Sequence, residues 1–146
     1  MKTTIVDVKA LIKSKIDNIK IDGDSIFGEI TDYAKGDFDG YPAVVIRPTG
    51  GEGEYIDTAR NERTFNFTID LYQEQSNEGK TKEEASDIME TAVDLVLEAF
   101  DQDKTLGNEV QTVHVVEMRF DFENRKGTYN FASFDIKCVV VVNNFI

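Results

Sequence analysis

A chain of 146 residues with a formal net charge of −12 and a pI near 4.4 is the size of one domain, long enough to bury a sizeable core. Such an acid excess argues against gripping nucleic acid, which takes Lys and Arg to neutralise phosphates. The 40% hydrophobic and 30% charged residues exclude compositional disorder, and no apolar run approaches the roughly 18 residues of a membrane-spanning helix.

The first stretch, residues 4–19, spaces Ile5, Val8, Ile12, Ile16 and Ile19 for one helical face, with Leu11 beside them. It is charged throughout, unlike the unbroken apolar centre of a secretory signal, so a cytosol or a particle assembled in one is the expected setting. Asp22-Gly23-Asp24 breaks the pattern. "SIFGEITDYA" is a weak strand candidate, and Tyr41 to Pro48 a stronger one with a proline near each end. From Thr49 to Arg63 the composition predicts a long polar loop. Structureless connections of about twelve or more residues are uncommon in compact domains and tend to be functional or disordered.

"RTFNFTIDLY" alternates: Phe65, Phe67, Ile69 and Leu71 face one way, Thr64, Asn66, Thr68 and Asp70 the other. From Thr81 to about Asp101 runs the strongest helix pattern, with Ala85, Ile88, Met89, Ala92, Leu95, Val96, Ala99 and Phe100 on its apolar side. In "TVHVVEMRFDF", the residues Val116, Met118, Phe120 and Phe122 are expected to share a face. The turn "ENRKG" then leads to a last strand through "CVVVV". The predicted fold is α+β: a mainly antiparallel sheet of four to five strands with two packed helices, in the order α-β-β-β-α-β-β.

Chemistry-bearing motifs are sparse. Gly79-Lys80-Thr81 stands where a phosphate loop would, but position 74 is Glu where the pattern needs Gly, and Thr81 with Glu84 fits a helix capping box better. Calcium loops begun at Asp22 or Asp37 meet Ile, Phe, Tyr or Pro at positions that require a ligand or a glycine, so no metal is expected. Cys138, the single cysteine, is expected to be a buried, inert thiol, which excludes an intrachain disulfide and a thiolate zinc cluster. His114, the single histidine, is expected to be a hydrogen-bonded structural residue among apolar neighbours. No nucleophile stands in a recognisable elbow, and neither a catalytic residue nor a cofactor is assigned.

Two groups of residues point instead to contact surfaces. Glu83, Asp87, Glu90, Asp94, Glu98 and Asp101 recur at three- or four-residue steps on the outer side of the second helix. Their five like-charge neighbours cost roughly 1–2.5 kcal/mol if values of about 0.2–0.5 kcal/mol each add. A solvated, solubilising face is one explanation; a negative surface meeting basic groups, with Arg47, Arg60, Arg63, Arg119 and Arg125 as possible partners, is the other. The predicted loop sets Glu52, Glu54 and Asp57 before Arg60 and Arg63, around Tyr55 and Ile56. Tyr and Arg anchors surrounded by mixed charge are the composition of an interface.

The run "YPAVVIRPTGGEGEYIDTARNERTFNFTIDLYQE", the helix closing in "LVLEAFDQDKTL" and the two terminal strands resemble the tail terminator (tail completion) proteins of long-tailed phages. The likeness is strongest from about Tyr41 to Leu106 and is carried by a proline-led strand, a polar connection, an aromatic strand and the "AFDQDKTL" helix end, with no catalytic signature. It implies a structural virion protein of the tail or neck, assembled in the host cytoplasm. Its subunits would form a ring, expected to be a hexamer, that caps the tail tube, stops its elongation and meets the head connector or stopper protein. DNA would pass through the ring without sequence-specific binding, and no membrane would be involved. The connection at 49–63 would serve as an interface arm, with Arg60 and Arg63 pairing with carboxylates of a neighbouring subunit. Another head–tail connector or neck ring protein shares these features; a small ligand-binding domain or enzyme is the alternative from a different class.

Overall fold

The computed structural model describes residues 3–34, 37–56, 60–75, 82–122 and 129–143. In chain order these form helix α1 (Ile5–Asp17), strands β1 (Lys20–Ile21), β2 (Asp24–Ser25), β3 (Glu29–Thr31), β4 (Ala43–Tyr55) and β5 (Arg60–Glu74), helix α2 (Lys82–Gln102), and strands β6 (Thr112–Asp121) and β7 (Tyr129–Asn143). The fold is α+β as expected: β3-β4-β5-β7-β6 make one five-stranded sheet, antiparallel except for β3 beside β4, and β1-β2 make a separate small ribbon.

Thr4 caps α1 by accepting the Asp7 N–H on its hydroxyl at 3.1 Å, and Val8, Ile12 and Ile16 turn inward. The helix ends at Asp17, so Ile19 is buried from the segment beyond it, while Ile5 is left on the surface. The predicted break at Asp22-Gly23 is a two-residue hairpin turn in which both residues take positive φ, joining Ile21 to Asp24. Gly28 and Gly40 sit back to back: a Cβ on Gly28 would lie 2.4 Å from the Tyr41 N, and one on Gly40 2.8 Å from the Gly28 carbonyl oxygen. Their bare backbones let β3 lie beside the start of β4.

Both helices cover the same side of the sheet, α1 against β4 and α2 against β5, β7 and β6. That side carries Val44 and Ile46 from β4, Phe67, Ile69 and Leu71 from β5, Phe134, Ile136 and Cys138 from β7, and Val113 from β6, all buried. Met89, Ala92, Val96 and Phe100 of α2 press onto them, along with Val93, which the sequence pattern had not placed. Thr81, the expected cap of α2, and the expected turn at 123–127 lie outside the described residues.

Three expectations are corrected. Most of the segment expected as a loop at 49–63 is strand: β4 continues to Tyr55 and pairs with β5 from Arg60, after a register shift between Pro48 and Gly50, while residues 57–59 lie outside the described residues. The glycines and acids there have low strand propensity, but cross-strand pairing with β5 overrides it. In β6 a second register shift, between Val115 and Glu117, removes Val116 from the row of Met118 and Phe120. Val113 and Val115 face the core instead, and Val116 opens onto the opposite side beside Thr64, Asn66 and Thr68. His114 is exposed, opposite Lys137, rather than packed among apolar groups.

Candidate interaction surface

Register and strand alternation build an arm at one end of the sheet. Beyond Thr64, β5 lies between β4 and β7, with Gly53, Arg63 and Val140 abreast and then Tyr55, Asn61 and Val142. Val140, level with Arg63, is still buried in the core, so the arm passes the core by the last two or three residues of β7 and their neighbours, roughly 7–10 Å. Tyr55 is 68% exposed and Ile56 43%.

The two faces of this arm differ in charge. Arg63 shares the parity of Phe65 and Phe67 and therefore faces the helix side, along with Tyr55 and Asn61. Glu52, Glu54, Arg60 and Glu62 face the other side. The expectation grouped Arg60 with Arg63; three positions apart on one strand, they stand on opposite faces. Arg60 also has an interaction partner within the chain, whereas Arg63 makes no ion pair among the described residues. Asp57 lies outside the described residues.

The side of the sheet away from the helices holds an ionic chain that the sequence reading missed. Arg47 donates to Asp70 Oδ2 at 2.9 Å, and the Ser133 hydroxyl donates to Asp70 Oδ1 at 2.7 Å. Arg119 donates to Ser133 Oγ at 3.2 Å and to both oxygens of Asp135 at 2.8 and 3.0 Å. The Asp70 side chain is only 3% exposed, so its charge depends on these donors. Arg119 holds the Asp135 carboxyl below its ordinary range through the bidentate hydrogen bond. These pairs use Arg47 and Arg119 within the chain, on the face opposite α2, so neither serves the acidic helix stripe; Arg125 lies outside the described residues.

Next to this chain Phe38, Tyr41, Tyr72, Tyr129 and Phe131 form an aromatic cluster, with ring centroids 5.0–6.0 Å apart. Burial, reinforced by the hydrogen bond to Tyr129 at 3.3 Å, raises the Tyr41 phenol above its usual range. The signal was present in the sequence, since Tyr72 continues the parity of Asp70 and Tyr129 and Phe131 that of Ser133. Only the register joins them.

On the helix side, Glu83, Asp87, Glu90, Asp94, Glu98 and Asp101 are all exposed, forming the predicted acidic stripe. Glu90, Val93 and Asp94 form one wall of a groove of about 380 Å³ whose other wall is Phe120 and Phe122 of the β6 end. Phe120 is 54% exposed and its neighbour Met118 45%, a large apolar exposure for an edge strand. A cleft between α1 and the β2–β3 segment carries both charges, with Lys9 3.9 Å from Asp32, and Glu29 nearby. Cys138 is fully buried, and burial pushes its thiol up to about 12. The side chains of Gln73 and Asn130, opposite each other in β5 and β7, are buried, with Oε1 and Oδ1 lacking partners among the described residues. Among the described residues no cluster of three or more His, Cys, Asp or Glu is arranged to hold a metal ion.

The surfaces therefore combine an anchor-bearing arm, an open polar sheet face and an acidic helix, which suit contacts with macromolecules. No protein-family model matches the chain, and no curated protein matches it significantly.

Proposed function

We propose that the chain is a ring-forming structural subunit, a tail terminator of a long-tailed phage. The supporting observation is the three-stranded arm, which carries Tyr55 and Ile56 into solvent past Val140, the last core residue of β7. One aromatic and one aliphatic anchor on a paired strand frame give area at small entropic cost, as a subunit contact requires. The mechanism is assembly. A tube end exposes a ring of unfilled contacts, and the terminator fills them while offering no equivalent surface for the next tube subunit. An arm at one end of the sheet and an open β6 edge on its flank give each subunit two different patches, the requirement for a head-to-tail ring. The net charge of −12 favours passage of DNA through such a ring over adhesion, because phosphates are repelled.

The test is tube polymerisation. Tail tube subunits are assembled with and without this protein, and tube lengths and ends are imaged. Shorter tubes ending in six-fold rings with an open centre are expected. Tubes of unchanged length and bare ends would overturn the proposal.

A further inference from the structure

The groove between α2 and β6 has an apolar floor of Val93, Phe120 and Phe122 and a rim of two carboxylates, Glu90 and Asp94. Among the described residues, the helix side of the arm has the complementary pattern: exposed Tyr55 with one cation, Arg63, and no acid, because Glu52, Glu54 and Glu62 face the other way. Gly53, directly opposite Arg63, leaves open space where a side chain would stand, so the arginine is not fenced in on that flank. The arm cannot reach the groove of its own chain. Phe120 is level with Ala132 on β7, while Arg63 is level with Val140, eight residues farther along, or roughly 26 Å at about 3.3 Å per residue.

We infer that the arm of one copy seats in the α2–β6 groove of another, with Tyr55 against Phe120 and Phe122 and Arg63 between Glu90 and Asp94. Glu90 and Asp94 are four residues apart on one helix and repel each other, and a cation between them turns that repulsion into attraction. The contact joins unlike patches, so it propagates head to tail and either closes into a ring or extends as a filament. It rests on the ring reading above and names the surfaces by which subunits of that ring would meet.

The test is a charge swap in the full-length chain, read by sedimentation velocity over a range of concentrations. Arg63→Glu alone, and Glu90→Arg with Asp94→Arg, are each expected to weaken self-association at least ~10-fold, the scale of losing a partly desolvated charge pair. All three substitutions together should restore it to within a few-fold of the parent. The substituted side chains are exposed, so circular dichroism should show the native fold throughout. As a second measurement, a mixture of Tyr55→Cys and Glu90→Cys chains treated with a short bismaleimide should give the crossed dimer. Cys138 is buried and does not compete. Association that ignores the swaps, a triple variant that is not restored, or a parent that stays monomeric at every concentration would each overturn the inference. Tube capping by the parent in any of those cases would leave the terminator reading standing. A working swap in a protein without effect on tube length would leave the groove contact and remove the terminator.

Discussion

Replacing Arg47 by Met tests whether the ionic chain on the open sheet face stabilises the domain. The Asp70 carboxylate is 3% exposed and receives its hydrogen bonds from Arg47 and Ser133, so losing Arg47 strands most of a buried charge. Breaking a fully buried pair costs about 3–5 kcal/mol. Because the Arg47 side chain is itself 46% exposed, water would enter its place, and we expect about 2 kcal/mol. Asp70→Asn keeps an acceptor for Ser133 but weakens the charge-assisted bond, for about 1.5 kcal/mol. Once the carboxylate is an amide, Arg47 has little left to neutralise, so the double variant should lose about 2 kcal/mol rather than the additive ~3.5, a coupling of about 1.5 kcal/mol. For a chain of this length the Arg47→Met loss corresponds to a melting point lower by roughly 4–8 °C. Urea titration of the four proteins measures the coupling. Strictly additive losses, or single losses below about 0.5 kcal/mol, would refute the reasoning.

Other outcomes follow from the same geometry. Burial pushes the Cys138 thiol up to about 12, so at pH 8 iodoacetamide should leave it unmodified in the native protein and alkylate it promptly in urea, as mass spectrometry would show. Asp103 is held below the ordinary carboxylate range, first by the Gly107 N–H and then by Lys15 at 3.0 Å, and Asp135 is held low by Arg119. The unfolded chain therefore binds these protons first. Their stabilisation is complete above about pH 4 and disappears as the pH falls through the lowered values. Urea midpoints of the parent and Asp103→Asn should accordingly differ at pH 7 and draw together as the pH falls below the ordinary carboxylate range. Phe134→Ala, in the centre of the core, should cost about 3–5 kcal/mol by denaturant titration. Gly28→Ala should separate β3 from β4, since its Cβ would meet backbone atoms of Gly40 and Tyr41, and faster amide exchange at Val44, whose backbone groups face β3, would report it.

The elements with a strong period were readable from the sequence. Phe67, Ile69 and Leu71 alternate because one face of β5 is buried, and the α2 spacing follows from a helix lying on that face. The arm was hidden because "TGGEGEY" carries no strand propensity of its own and is held extended by β5 and, through β5, by β7. The faces of β6 were misassigned because a register shift at Val116 has no marker residue, neither Gly nor Pro, in the sequence. Of the candidate surface, the composition of the arm and the acidic stripe were legible. Which arginine stands on which face was settled by strand parity once β5 was known to begin at Arg60, and the Arg47–Asp70–Ser133–Arg119–Asp135 chain required the order of four strands.

β7, the last of the described strands in chain order, lies between β5 and β6 rather than at an edge. Until it arrives, β5 has one neighbour, β6 has none, and the apolar side of α2 faces an incomplete sheet. The domain therefore closes late and in one step, through contacts distant in sequence, the topology that folds slowly. While β7 is still missing, the unpaired edge of β5 is open to the β7 of another copy, and exchange of that strand between chains is the misfolding route this order of strands invites.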